Sequence, residues 1–219
     1  MKTEELFLTD ESIAIEFIKK YTYPYEALPY IKDYIIELGK TLGKDFKLKG
    51  ENIWIHKTVK IADNVSITGP CIIDENAEIR PSAYIRGSAI IGKNCVLGNS
   101  CEIKNSIIFN ETQIPHFNYV GDSILGYHTH MGAGSITSNL KINKKNIIIK
   151  NGKENIETNL HKMGTMLGDY SEIGCNSVLN PGTIIGPNTL VYPLTSVRGV
   201  IPSNSIVKSM DNIVARRED

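Results

Sequence analysis

Aliphatic residues recur at intervals of six along most of this chain. From Ile55 onwards, fourteen consecutive units of five or six residues each begin with Ile, Leu, Val or Met. Five further units begin at Leu167. The first run reads IHKTVK, IADNVS, ITGPCI, IDENAE, IRPSAY, IRGSAI, IGKNCV, LGNSCE, IKNSI, IFNETQ, IPHFNY, VGDSI, LGYHTH and MGAGSI. Such a fixed short period predicts a repeat architecture in which successive coils stack on one another.

The other positions of the hexad agree with a coil that turns sharply at each unit. The fifth position is mostly Ala, Cys, Ser or Thr, and Gly, Asn and Asp are frequent before it. Small residues fit beside a crowded corner, and Gly, Asn and Asp supply turn conformations. Three short strands per coil, stacked at about 4.8 Å, give a parallel β-helix. Cys71, Cys95 and Cys101 occupy the small position and are predicted to pack as small apolar residues.

The period does not determine the hand of the coil, because parallel crossovers are right-handed in about 98% of cases. The hexads resemble the hexapeptide-repeat family, whose coils are left-handed. The resemblance therefore implies a left-handed coil. The fold class expected is all-β, a left-handed parallel β-helix with a short helical N-terminal segment and an inserted β-hairpin loop.

Three segments fall outside the repeat and define the predicted domains. Residues 1–50 have apolar residues at helical spacing, and are predicted to be a helical N-terminal cap that packs on the first coil. Residues 51–208 form the β-helix domain, interrupted by an insertion at 140–163. Within the insertion, Asn151-Gly152 predicts a hairpin turn. Residues 209–219 are predicted to be a C-terminal tail.

The lysines of the insertion leave two interpretations open. Five of them lie between residues 141 and 153, and Lys162 follows, in a chain whose formal net charge is zero. The segment is either a solvated loop or a loop that binds an anionic ligand, and long loops projecting from a solenoid are often functional.

Composition excludes several classes of partner. Lys plus Arg equals Asp plus Glu at 24, so no basic surface for nucleic acid or membranes is expected. No apolar run approaches the roughly 20 residues that span a bilayer, and residues 1–12 contain no apolar signal segment. The four cysteines show no paired metal spacing, and we expect a reduced, cytoplasmic setting and no metal.

Polar residues in outward-facing hexad positions are the candidates for chemistry. Positions two, three and six of a hexad tend to face outward, which places His116, Tyr119, Lys104 and Arg80 on outer surfaces of neighbouring coils. His130 ends its hexad, and His128 lies at a corner. A histidine beside a tyrosine and two cations suits proton transfer next to an anionic substrate, because imidazole titrates near neutral pH.

Several motifs resemble one known family closely. They are RP at 80–81, GNSCEIKNS, HFNYVGDS, MGAGSITSN and LGDYSEIGCNSVLNPG. They are similar to the acetyltransferase half of the bifunctional N-acetylglucosamine-1-phosphate uridylyltransferase / glucosamine-1-phosphate acetyltransferase family, over residues 55 to 208. The hairpin-bearing insertion is more similar to archaeal sugar-phosphate members.

The resemblance implies a direct acetyl transfer from acetyl-CoA to an amino-sugar phosphate. It makes His116 the general base and places Asn139 near the thioester. It makes Arg80, Lys104 and Tyr119 contacts to the sugar phosphate, a sensible anion clamp, and Lys162 matches a further family lysine. Cys175 and backbone around Pro193 would line the acetyl-CoA channel. Family members are homotrimers with sites between neighbouring β-helices.

The sequence also departs from the family. His130 stands where bacterial members have an asparagine that contacts the sugar, and Cys175 stands in place of a serine. Residues 1–50 are too short for the nucleotidyltransferase domain and contain no Gly-rich phosphate loop, so we expect this chain to lack that second activity.

Two other functions remain open at the level of sequence. A non-catalytic module could bind the sugar phosphate and assist a separate nucleotidyltransferase. A metalloenzyme similar to the γ-class carbonic anhydrases could use His116, His128 and His130 for zinc, although the two histidines five residues apart that this class requires are missing.

Overall fold

The computed structural model describes residues 1–216, and the end of the predicted tail at 217–219 lies outside the described residues. The chain forms a three-faced parallel β-helix, as the hexads predicted. The first face consists of β2 (Ile53–His56), β5 (Cys71–Ile73), β8 (Ala89–Ile91), the second halves of β10 (Glu102–Ile108) and β12 (Tyr119–Leu125), β17 (Thr165–Leu167), β20 (Thr183–Ile185) and β23 (Val200–Ile201).

The two remaining faces follow the same parallel register. The second face consists of β3 (Lys60–Ile61), β6 (Glu78–Ile79), β9 (Val96–Asn99), β11 (Gln113–His116), β13 (His130–Met131), β18 (Glu172–Ile173), β21 (Leu190–Val191) and β24 (Ser205–Ser209). The third face consists of β4 (Ser66–Thr68), β7 (Tyr84–Arg86), the first halves of β10 and β12, β14 (Ile136–Thr137), β19 (Val178–Leu179) and β22 (Ser196–Val197).

The hexad explains the interior of this prism. The aliphatic first positions form one continuous core from Ile73 through Leu125 to Val207, and the fifth positions pack beside them. The cysteines predicted to be packing residues, Cys71, Cys95 and Cys101, are all buried in this core, which confirms that prediction. Buried hydroxyls at the same position satisfy backbone carbonyls, as where Thr112 Oγ1 donates to Gly126 O at 2.9 Å.

Each corner is closed by a residue with a positive φ angle. The corner between the second and third faces has such residues on successive coils, namely Ser82, Ser100, Phe117, Gly134, Asn176 and Leu194. The corner between the third and first faces includes Ser88, Asn105, Asp122 and Gly182. Left-handed conformations are unfavourable for most residues, and here the shared ladder of hydrogen bonds between coils holds them in place.

The N-terminal segment is helical, but it covers a side of the β-helix and not only its first coil. It contains α1 (Thr3–Leu6), α2 (Ile15–Ile18), a 3₁₀ segment (Pro24–Tyr30) and α3 (Ile31–Thr41). Helix α3 contacts β5, β8 and β10, and the 3₁₀ segment contacts β12. The end of the first coil is instead covered by β1 (Phe46–Gly50), which pairs antiparallel with β2.

A row of outward-facing apolar residues on the first face explains why the N-terminal helices lie on this side of the β-helix. Strands of this face contain two adjacent apolar residues, of which one faces the core and the other faces the helices. The outward members are buried against the helices or the insertion: Trp54, Ile72, Ile90, Ile107, Ile124, Met166 and Ile184. A helical layer removes this row from water, which is favourable by about 25 cal/mol per Å² of apolar surface.

The insertion leaves the coil after Asn139 and contains the predicted hairpin. Strands β15 (Ile148–Asn151) and β16 (Glu154–Glu157) pair antiparallel, and Gly152 in the turn has a φ of 59°. Ile147, Ile149 and Met163 are buried, so the base of the insertion is packed and not a free loop. At the other end of the chain, β24 pairs antiparallel with β25 (Asn212–Ala215), which lies within the predicted tail.

Candidate functional site

His116 lies at the corner where the second face meets the third. It is the last residue of β11, and its side chain is exposed. Phe117 then turns the chain with a φ of 54°, and Tyr119 begins β12. Asn118, inside this turn, is buried and accepts the His116 backbone N–H at 3.1 Å. The Asn118 amide also donates to Gly132 O at 2.8 Å, so the turn that carries the histidine is tied to the next coil.

The corner places His116 in line with the predicted acetyl-CoA residues. The strand register continues from His116 through Ala133 to Cys175 and then to Pro193 on successive coils. The turns confirm this line, because Gly134 N donates to His116 O at 3.0 Å and Leu194 N donates to Cys175 O at 2.9 Å. Cys175 and Pro193 are exposed and lie two and three coils from His116, or about 10 and 14 Å.

The third face brings Tyr119 next to Lys104 and Asn139. The register pairs Lys104 with Gly121, two residues beyond Tyr119 on the neighbouring coil. The Tyr119 hydroxyl accepts a hydrogen bond from Asn139 Nδ2 at 3.0 Å. Burial, followed by the nearby charges of Asp122 and Glu102, raises the pKa of Tyr119, so the phenol stays protonated at neutral pH.

Asp122 connects these residues and was not singled out in the sequence. Its carboxylate accepts from Lys104 Nζ at 3.2 Å and from Asn105 Nδ2 at 2.8 Å. Asn139 Nδ2 donates to it as well. Lys104, predicted to bind substrate, and Asn139, predicted to lie near the thioester, are therefore joined through one buried acid.

The structure separates Arg80 from the other predicted phosphate contacts. Arg80 follows β6 on the second face, where its Nε donates to Glu78 Oε1 at 2.9 Å. Arg80 lowers the pKa of Glu78 through this hydrogen bond, which is the larger effect, and through its charge. The cation in register with Lys104 is Arg86, which donates to Glu102 Oε1 at 2.8 Å beside Tyr119.

Two further histidines lie away from His116. His128 has a φ of 53° at the corner between the first and second faces, and its ring stacks on Tyr170 with centroids 5.9 Å apart. His130 begins β13 and pairs with Gln113, three residues before His116 on the neighbouring strand. Among residues 1–216, the structure brings together no group of three metal-ligating side chains, so the geometry lends no support to a zinc site.

The end of the insertion returns to the same cluster. Lys162 is exposed and precedes Met163, whose N–H donates to Asn139 O at 3.0 Å. A cavity of about 330 Å³ lies beside the start of the insertion, with Lys141 and Arg198 among its lining residues. A larger cavity of about 660 Å³ lies within the N-terminal segment between α1 and α2 and does not include any predicted site residue.

Sequence reasoning missed Asn118, Asp122 and Arg86, although the sequence contains a signal for Asn118 and for Asp122. Asp122 stands directly at a coil corner, a position filled by Ser88 and Asn105 on the two preceding coils. A carboxylate at a corner otherwise held by neutral residues indicates a specific partner. Asn118 fills the fifth position of its hexad, where other units have Ala, Cys, Ser or Thr, so its larger amide was also a signal. No periodic signal marks Arg86, which is an ordinary outward residue of its hexad.

A family comparison identifies the repeat region. Residues 67–214 match the model of the GMPPB C-terminal domain. The chain belongs to this family. The match begins in the last strand of the first coil and covers all later coils, including His116, Tyr119 and Asn139.

Relatives agree with the resemblance seen in the motifs. The chain is 36% identical to the bifunctional protein GlmU of Methanococcus maripaludis strain S2, over 84% of this chain and 53% of the relative. It is 33% identical to a bifunctional sugar-1-phosphate nucleotidylyltransferase/acetyltransferase of Sulfurisphaera tokodaii, over 64% of this chain and 41% of the relative. The similarity to the GlmU family is thus confirmed, and the chain spans about half the length of the curated relatives it matches.

Solved structures give a weaker likeness. The polySia-specific acetyltransferase NeuO has a TM-score of 0.47 and 16% identity, over 79% of this chain and 88% of NeuO. The acetyltransferase domain of PglB from Neisseria gonorrhoeae has a TM-score of 0.36 and 12% identity, over 74% of this chain and 56% of that chain. Similarity at this level carries no argument about activity. Within residues 1–216, no helix has the length and apolar character needed to cross a membrane.

Proposed function

We propose that this chain is an acetyl-CoA-dependent N-acetyltransferase whose acceptor is an amino-sugar phosphate similar to glucosamine-1-phosphate. The observation that carries the proposal is the position of His116. On one side it is in line with exposed Cys175 and Pro193 along a corner of the coil. On the other side, three residues away, begins the polar cluster of Tyr119, Asn139 and Lys104. The names of the relatives, which include bifunctional acetyltransferases, agree with it.

The chemistry is a direct transfer with His116 as general base. The ammonium first releases one proton to solvent, and the neutral amine attacks the thioester carbonyl. The neutral imidazole takes one further proton from this nitrogen as the N–C bond forms. The tetrahedral intermediate then collapses, the C–S bond breaks, and the imidazolium returns a proton to the departing thiolate. No covalent acyl-enzyme is required, so the exposed Cys175 needs no nucleophilic role.

The acceptor and donor occupy opposite sides of the histidine in this proposal. Lys104, Tyr119 and Lys162 bind the sugar phosphate, with Arg80 approaching from the second face. His130 contacts the sugar from the neighbouring strand. Acetyl-CoA lies along the corner formed by Cys175 and Pro193, with Asn139 near its thioester.

The active form is proposed to be a cytoplasmic homotrimer. The corner that carries His116 is open to solvent in the single chain, and Phe117 next to it is 63% exposed. Leu194, in the same stack of corner residues, is 80% exposed. A neighbouring β-helix placed against this corner would cover both apolar side chains and form a cleft around the histidine.

One alternative keeps the sugar-phosphate cluster without catalysis. The cluster around Lys104 is complete within one chain, so it could bind a ligand even if acetyl-CoA did not bind. Such a protein would bind glucosamine-1-phosphate and show no thiol release.

A substrate panel tests the proposed function. Purified full-length protein is mixed with acetyl-CoA and one of three acceptors: glucosamine-1-phosphate, galactosamine-1-phosphate or a nucleotide-linked amino sugar. We expect free thiol and the N-acetylated product to appear in equal amounts with at least one acceptor. Binding of the sugar phosphates, seen as a raised melting temperature, without any thiol release would instead establish the non-catalytic alternative.

A further inference from the structure

Asp122 is a buried acid at a position where the fold needs no charge. It is 5% exposed and closes the corner between the third and first faces with a φ of 49°. Asn105, on the preceding coil, occupies the same corner with a φ of 45° and a neutral side chain. Asparagine adopts this conformation as readily as aspartate, and burying a carboxylate has a large cost unless it is paired and hydrogen-bonded. The charge at residue 122 therefore has a role beyond turning the chain.

Two of the three side chains that donate to the carboxylate, Lys104 and Asn139, belong to the proposed site. One oxygen accepts from Asn105 Nδ2, and the other accepts from both Lys104 Nζ and Asn139 Nδ2. Lys104 is the one cation in salt-bridge contact with it among the described residues, and its side chain is largely covered. The backbone of Asp122 also accepts from Gly164 N at 2.8 Å, where the insertion returns to the coil.

This arrangement fixes which atom of Asn139 faces the site. A carboxylate only accepts hydrogen bonds, so the atom of Asn139 that faces Asp122 must be the amide nitrogen. The same nitrogen also donates to the Tyr119 hydroxyl. These two hydrogen bonds use both hydrogens of the Asn139 amide. The Asn139 Oδ1 receives no donor from residues 1–216 and remains free to accept one from a ligand.

We propose that Asp122 is a positioning residue for the acetyl-transfer site. Its carboxylate holds the Asn139 amide in the orientation that presents Oδ1 to an N–H group of the reactants, and it holds Lys104 next to Tyr119. This inference rests on the proposed function and adds to it a residue that acts through two others without contacting substrate.

Asp122→Asn tests the role with little change in shape. The substitution keeps the volume and the left-handed corner, but an amide offers one acceptor atom in place of two and brings donors toward Lys104 and Asn139. We expect kcat to fall about tenfold and the KM for the sugar phosphate to rise, since charge-assisted hydrogen bonds to Lys104 and Asn139 are lost. Asp74→Asn is the matched control, because Asp74 is also buried and, among residues 1–216, its side chain accepts only from the backbone N–H of Glu75. The kinetics of this variant should equal those of the wild type.

A double-mutant cycle separates positioning from general damage. If Asp122 acts on kcat through Asn139, then adding Asp122→Asn to Asn139→Ala should lower kcat no further. A merely structural role predicts additive losses, and wild-type kinetics in folded Asp122→Asn would equally overturn the proposal.

The same double-mutant cycle can be measured as changes in the free energy of unfolding, which do not depend on turnover. Coupling between residues 122 and 139 should appear as non-additive losses of stability in chemical denaturation. If the wild type shows no acetyl transfer, the proposed function fails, whereas absent coupling in stability contradicts the positioning role itself.

Discussion

At the scale of single residues, burial decides which groups of this chain are reactive. Burial raises the pKa of the Cys71 and Cys95 thiols to about 12, and it also raises that of Cys101. Cys175 is exposed on the corner that carries His116. The thiolate is the reactive form of cysteine, so the four thiols divide into three inert and one accessible.

Titration with an aromatic disulfide reagent at neutral pH should therefore find one reactive thiol per native chain and four after denaturation. Cys175→Ser should remove the native reaction, and acetyl-CoA should slow it if the ligand lies along this corner. Rapid reaction of more than one thiol in the folded protein would show that the coils open more easily than their packing indicates.

Asp169 is a second buried acid, and its partners are structural. It is fully buried, and its carboxylate accepts from Leu8 N at 2.7 Å, from Thr9 N at 3.1 Å and from Tyr127 N at 2.8 Å. Burial raises its pKa, while these hydrogen bonds act in the opposite direction. The residue joins the N-terminal segment to a corner of the coil.

Asp169→Asn should destabilise the fold by about 1–3 kcal/mol, because an amide nitrogen cannot accept from the backbone N–H groups of residues 8 and 9. Chemical denaturation measures the change. Asp211→Asn, at an exposed turn, is the control and should change stability by less than about 0.5 kcal/mol; equal stability of the two variants would refute the account of this contact.

At the scale of elements, the adjacent apolar residues of the first face decide where the helices lie. Ile107 is fully buried, and it packs in the same cluster as Ile31 and Ile35 of the N-terminal helices. The neighbouring Ile108 faces the core of the coil. One strand thus belongs to two hydrophobic clusters.

Ile107→Ala should lower the unfolding free energy by about 2–5 kcal/mol, since it leaves a cavity between two packed layers. Ile142 in the insertion is fully exposed in the chain, and Ile142→Ala should be nearly neutral. A small effect at residue 107 would mean that the helical layer contributes little to the stability of the coil.

These elements also show how much of the structure the sequence could predict. The period of six follows from packing inside each coil. The β-helix and the burial of Cys95 could therefore be predicted directly from the hexads. Pairs of adjacent apolar residues such as Ile107 and Ile108 could have located the helical layer. Their second members begin hexads, however, so the pairs do not stand out from the repeat. The link between Asp122 and Asn139 could not be predicted, because it joins residues 17 positions apart across coils through side-chain directions that periodicity does not give.

At the scale of the whole molecule, the proposed site is open along the corner that carries His116. Phe117 and Leu194 expose apolar surface on two levels of that corner, and exposed apolar patches mark interaction sites. The trimer proposed above would cover them with a second copy of the chain.

Sedimentation equilibrium should give a mass about three times the 24.3 kDa of one chain. Leu194→Asp should lower the mass toward that of the monomer and reduce turnover together with it, since a carboxylate is costly to bury without a partner. A wild-type protein that sediments as a monomer yet turns over normally would contradict the trimer.

The central claim is that His116 acts as the base of an acetyl transfer, and paired histidine variants test it most directly. His116→Asn and His128→Asn each replace an imidazole with an amide, and the asparagine at residue 128 keeps the left-handed corner. Turnover of glucosamine-1-phosphate and acetyl-CoA is measured by thiol release for both variants. We expect His116→Asn to lose about 100-fold or more in kcat, while His128→Asn stays within a few fold of the wild type. Equal rates for His116→Asn and the wild type would contradict the account.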